Sequence, residues 1–245
     1  MKVQDLAEKN GKTTKAIQAN RVFAVQENEQ VNGNGKRRYA KISLDQKQRV
    51  FLHALETTEH PPNDSYLLKH SDVMKLVDIS HRLAFIELSF EDQKLGRLLI
   101  SLAPDTNFAR QFSLLCTGEL GPSYARTNIL KVMYQGEWTE SVFFGDYESN
   151  DGEGGKALVA GPNWATEHTH KIYKRPWKAG VVGGWGWEEE RACQFAIHTR
   201  NCDGFELPGC FGVVEDGLGI LTEALSQQKD ITEVCISDCG IILSQ

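Results

Sequence analysis

The spacing of apolar positions changes once along the chain, near His81. Before that point the spacing is helical. Val50, Phe51, Ala54 and Leu55 fall on one face of a 3.6-residue repeat. Ser43-Leu-Asp-Gln46 just ahead resembles a capping box, and His60-Pro61-Pro62-Asn63-Asp64 ends the helix. A second short helix is predicted over residues 65–76, with Leu67, Leu68, Met74 and Leu76 apolar. Beyond His81 the texture is that of strands. Leu83-Ala-Phe-Ile-Glu-Leu-Ser-Phe90, a turn at 91–94 and a run at 95–102 read as an antiparallel hairpin. Pro104-Asp-Thr-Asn107 opens a helix through Phe108, Phe112, Leu115 and Cys116, and Gly118 stops it. Strand-like runs follow at 129–134, 141–147, 179–183, 193–199 and 210–214. A helix at 217–226 carries Leu218, Leu221 and Leu225 on one stripe, and strands at 234–236 and 241–243 finish the chain. Many short strands with two helices predict a mostly β fold, a closed antiparallel barrel with a helix at each end.

The first 40 residues are rich in Lys, Glu, Gln and Asn, and Val31-Asn32-Gly33-Asn34-Gly35 breaks any helix. The expected organisation is a flexible polar tail (1–40), a helical extension (41–81) and the barrel (82–243).

Hydrophobic residues make up 40% of the 245, enough for a real core. The net charge of −6 argues against a nucleic-acid partner. Lys36-Arg37-Arg38 reads as a solvated tether. Residues 1–20 carry no apolar signal core, and no apolar run is long enough to span a bilayer. A cytoplasmic or nuclear protein without a membrane partner is expected. The six cysteines (116, 193, 202, 210, 235 and 239) form no Cys-x-x-Cys pair and are expected as reduced, mostly buried thiols. His168-Thr-His170 lacks an acidic or cysteine partner at ligand spacing, so no metal and no cofactor are expected. Gly152-Glu-Gly-Gly155 is not followed by Gly-Lys-Ser/Thr and is no phosphate loop. Asp238, beside Cys239, has no histidine near it in sequence. The oligomeric state is left open.

Nine short motifs then occur in one order. They are Phe85-Ile-Glu-Leu, Leu95-Gly-Arg97, Pro104 ahead of Phe112, Cys116-Thr-Gly-Glu119, Gly145-Asp-Tyr147, Asp151-Gly-Glu-Gly-Gly-Lys156, Cys193-Gln-Phe-Ala-Ile197, Phe211-Gly-Val-Val-Glu-Asp-Gly217 and Ile236-Ser-Asp-Cys-Gly-Ile241. In that order and near that spacing, the chain from about 82 to 243 resembles the cyclophilin-type peptidyl-prolyl isomerases.

The resemblance implies a peptide groove whose parts have changed. The family's groove Arg lies twelve residues after the Glu of Cys-Thr-Gly-Glu, which lands on Lys131. Lysine keeps the charge and loses the planar donor fork. A second alignment takes Arg126, nine residues before Gln135-Gly136, as that Arg. On the first alignment Phe143 stands for the family's Gln. Gly183 and Trp185 occupy the stretch that lines the proline pocket, with Trp185 where a small Ala is usual. Gln194 and Phe195 are kept, Ala196 replaces a pocket Phe, Asn201 replaces a Trp and Glu206 a His. Trp138, Trp185 and Trp187 are expected near this groove. The implied function is a module for a proline-containing peptide or partner protein with weak or no catalysis. The alternative is a slow or substrate-restricted isomerase assisting folding.

Overall fold

The computed structural model describes residues 13–27, 37–57, 60–104, 106–159, 174–185 and 188–243. In chain order its elements begin with α1 (Thr13–Gln18), β1 (Val22–Glu27), β2 (Arg37–Leu44), β3 (Val50–His53), β4 (Tyr66–Lys69) and α2 (His70–Met74). They continue with β5 (Leu83–Phe90), β6 (Gln93–Leu102), α3 (Asn107–Thr117), β7 (Thr127–Asn128), β8 (Lys131–Met133), β9 (Ser141–Phe144) and β10 (Arg175–Pro176). They close with β11 (Val181–Gly184), β12 (Phe195–His198), β13 (Glu206–Leu207), β14 (Cys210–Asp216), α4 (Leu218–Gln227) and β15 (Cys235–Leu243). The fold is mostly β.

Thirteen strands share one sheet, in the order β4-β1-β2-β3-β15-β5-β6-β14-β11-β12-β9-β8, with β7 also on β15. Every pairing is antiparallel except β1 with β4. Residues 127–133 touch two distant points of that path. Thr127 and Asn128 pair with β15, and Lys131–Met133 pair with β9. β10 and β13 make a separate ribbon.

The helix α3 forms where the sequence predicts it. Thr106 accepts a hydrogen bond from the Ala109 amide at 3.0 Å, and Gly118 ends the helix in the left-handed region. Its buried face packs Phe112 against Phe195 (ring centroids 5.0 Å), Tyr124 (5.3 Å) and Phe211 (5.4 Å). The Tyr124 hydroxyl donates to the Cys193 carbonyl at 2.7 Å, so the buried phenol is satisfied.

The first 81 residues differ from their expected form. Residues 22–27 and 37–40 are strand, not tail, and the helix expected from Val50 to Leu55 is β3 followed by extended chain. Residues 65–76 split into β4 and the short α2. The reason is that β3 is covered on both sides. Val50 and Leu52 face the main core, while Phe51 packs on the other side with Phe85 and Leu99. A strand buried on both faces loses its polar alternation and cannot be told from a helix by period. Ser43 is strand, not a helix cap.

Arg38 is not a tether. It is 8% exposed, and its guanidinium donates to the carbonyls of Leu55 (2.8 Å), Gly118 (2.6 Å) and Gly121 (2.8 Å). It therefore latches β2 to the carbonyl end of α3, where a cation is electrostatically favoured. β3 then docks on β15 at Gly240, where an added Cβ would lie 2.0 Å from the Leu52 carbonyl oxygen. No side chain fits between those backbones.

Candidate functional site

Two places on the outer side of the sheet gather chemistry. The first is built by β8, β9, β12 and β11. Their register aligns Lys131 with Phe143, Phe143 with Ala196, and Ala196 with Gly183. Alternate residues of a strand share a face, so these four stand in one row opposite the core-facing Val142, Ile197 and Val182. Trp185 extends β11 and meets Phe143 edge-on, with ring centroids 4.6 Å apart. The Lys131 Nζ lies 5.3 Å from the Phe143 ring centre and 5.8 Å from that of Trp185. Phe143 and Ala196 are buried, whereas Lys131 is exposed.

One register step along the same face, Met133, Ser141 and His198 align. The Ser141 Oγ and His198 Nδ1 are 2.7 Å apart, and Trp177 closes over the imidazole edge-on at 4.9 Å. Burial pushes the His198 imidazole down to about 4, so it is neutral at pH 7. The loops leaving this end of β8 and β12 bring Trp138 and Phe205 together at 5.5 Å. Trp138 is 54% and Phe205 57% exposed, and Tyr134, four residues before Trp138, is exposed as well.

The other expected groove residues lie elsewhere. Phe195 points into the core and stacks on Phe144 at 5.2 Å. Gln194 turns to the glycine loop and donates to the carbonyls of Gly152 and Gly154, both at 2.8 Å. Asn201 Oδ1 accepts the Ala179 amide at 2.9 Å, closing a turn, and Glu206 is an exposed residue of β13. Arg126 is paired to Glu56 at 3.0 Å, just beyond β3. Trp187, His168 and His170 lie outside the described residues.

The glycine loop is organised by Asp146. Its carboxylate accepts the amides of Glu148, Ser149, Asp151, Gly152 and Gly154 and the Ser149 hydroxyl. Burial alone would raise this carboxyl, but the donors from Ser149, Gly152 and Asn150 outweigh it and hold the group well below the usual carboxylate range. The loop is thus a structural turn bound to β12 through Gln194.

The second place is a polar cavity of about 290 Å³ on the outer side of β2, β3, β15 and β5. Tyr39, Lys41, His53 and Glu56 line it from the N-terminal strands; Glu87, Lys94 and Asp238 line it from the rest. His53 Nδ1 is 2.7 Å from Asp238 Oδ2, and His53 Nε2 is 2.6 Å from Ser43 Oγ. Glu87 is held by Arg97 at 2.9 Å and Lys94 at 2.6 Å. Asp238 thus has its histidine, 185 residues away in sequence. No local motif could have found that pair, because register alone joins them. The period-2 run Arg38, Ala40, Ile42 was the readable sign that Tyr39, Lys41 and Ser43 share the opposite face.

No protein-family model matches the chain. Among the described residues there is no helix long and apolar enough to cross a membrane, and no group of three or more His, Cys, Asp or Glu that could hold a metal. The six cysteines are free thiols, and all but Cys235 are buried.

Proposed function

We propose that residues 82–243 are a divergent cyclophilin-like barrel that binds a proline-containing peptide or partner protein and has weak or no isomerase activity. The barrel reading is supported by eight antiparallel neighbours, β15-β5-β6-β14-β11-β12-β9-β8, with residues 127–133 bonded to both the first and the seventh. Two longer helices, α3 and α4, accompany them.

The functional reading rests on one observation: the Lys131 ammonium lies over the rings of Phe143 and Trp185. Rotating an X-Pro amide means crossing a barrier of about 20 kcal/mol, and lowering it calls for fixed donors beside a dry, open pocket. Here the one cation of the row faces aromatic rings, and Trp185 packs into the row where the resemblance places a small residue. A lysine there offers no planar fork. The exposed Trp138–Phe205 pair at the end of the same face offers flat apolar surfaces with little rotamer entropy to lose, which suits a proline ring.

The test is exchange NMR with the full chain and several X-Pro peptides. The expected result is no acceleration of cis–trans exchange, with peptide-induced shifts of the Trp138 indole that Phe205→Ala weakens. Exchange catalysed by the wild type and lost in Lys131→Ala would make the protein an isomerase instead. Absence of any shift at millimolar peptide would remove the binding reading.

A further inference from the structure

The cavity on β2, β3, β15 and β5 holds a constellation that peptide binding does not use. Three adjacent strands carry Ser43, His53 and Asp238 in one hydrogen-bonded chain: Oγ to Nε2 at 2.6 Å, then Nδ1 to Oδ2 at 2.7 Å. The order of atoms matters. An ionised carboxylate is acceptor-only, so Nδ1 carries the proton and donates it to Asp238. Nε2 is then left with its lone pair, and the Ser43 hydroxyl donates to it. That is the tautomer in which a histidine can take a proton from serine. Asp238 and His53 line the cavity. Ser43 is half-buried and shares a face of β2 with Lys41, which also lines it.

We infer that Ser43, His53 and Asp238 form a nucleophile–base–acid relay that hydrolyses esters of short acyl groups. In the first step Oγ of Ser43 bonds to the ester carbonyl carbon while its proton passes to Nε2. The tetrahedral intermediate collapses, the C–O bond to the alcohol breaks, and the alcohol leaves with the proton from Nε2. Water then repeats the sequence on the acyl-serine, giving the acid and the free hydroxyl. Lys41, two residues along the same face of β2, is the cation available to the oxyanion. The acyl class follows from the lining: Ala54 is its one aliphatic residue, amid charged and hydroxyl side chains. A long hydrocarbon chain gains nothing there.

The test uses the full chain and a fluorophosphonate probe, which phosphonylates activated serines. After reaction at pH 8, peptide mapping by mass spectrometry of the wild type is expected to place one adduct on Ser43. Ser43→Ala should abolish it, and Asp238→Asn should slow it roughly a hundredfold or more by losing the productive tautomer. Aryl acetate should be turned over faster than aryl octanoate. An unmodified Ser43 in the wild type overturns the proposal, and that result needs no variant to fold. Equal labelling rates for wild type and a folded His53→Gln, checked by melting temperature, overturn it as well, since a merely structural polar ladder predicts both.

Discussion

The outer side of the sheet carries two serine–histidine pairs with opposite surroundings. Ser141 and His198 meet at 2.7 Å beneath Trp177, with Phe143 and Trp185 packed one register step away. Ser43 and His53 meet at 2.6 Å beside an open polar cavity, and there a carboxylate holds the far nitrogen. The same two side chains are thus a packed, buried pair in one place and part of a proton path in the other. What differs is the neighbouring segment: Trp177, just after β10, covers the first pair, and β15 supplies Asp238 to the second. Residue type alone does not assign chemistry; burial and the third partner do.

The strongest way to break this contrast is at the strand that completes the polar face. Gly240→Val would drive β3 off β15 and is expected to cost about 4 kcal/mol or more, at the extreme of single substitutions. Urea denaturation measures it; a loss under about 1 kcal/mol would mean that β3 does not seat on β15. Phe143→Ala, on the packed face, should cost about 3–4 kcal/mol, because a buried ring is removed beneath Trp185. A near-neutral result in the same assay would show that this face is loosely filled.

Acid comes next. His198 and His70 are both pushed down to about 4 by burial, with Arg38 adding to the effect at His70. Their neutral forms are favoured in the folded state. The stability they contribute is therefore complete above pH 6.5 and is lost as pH falls toward 4. Each accounts for roughly 3 kcal/mol at most, from the size of the shift. Urea midpoints at pH 7 and pH 4.5 test the sum, and His198→Gln should flatten the curve by one histidine's share. A midpoint indifferent to pH over that interval would contradict the burial of both rings. Smallest of all, Arg126→Ala should change stability by less than about 0.5 kcal/mol, since its pair with Glu56 is exposed on the arginine side. It should leave X-Pro exchange untouched; an effect there would restore the alignment that makes Arg126 the groove arginine.

Much of residues 82–243 was legible because their signals are local. The helix opening at Pro104–Asn107, the left-handed Gly118 and the tight turn between β5 and β6 each act within a few residues. The resemblance named Lys131, Phe143, Ala196, Gly183 and Trp185 as groove positions, and strand register brings these five to one face; it gave no sign of the inward turn of Phe195 or of the loop-clamping role of Gln194. The strand β3 was misread because covering Phe51 on the outer side erased its alternation, whereas β2 kept the alternation of Arg38, Ala40 and Ile42. The polar cavity was invisible for a different reason. It is assembled from β2, β3, β5 and β15, whose adjacency is a property of strand order and leaves no mark on any one segment.

That strand order has a bearing on handling the protein. β15 shares its outer edge between β7, on residues 235 and 236, and β3, on residues 240–243. A shortened chain beginning at residue 82 would leave the second half of that edge with unpaired amides and carbonyls, flanked by Ile241, Ile242 and Leu243. Such an edge is a template for another molecule's strand. In the full chain β3 covers that edge, and shortened forms should be screened for dimers and fibrils before any activity is attributed to them.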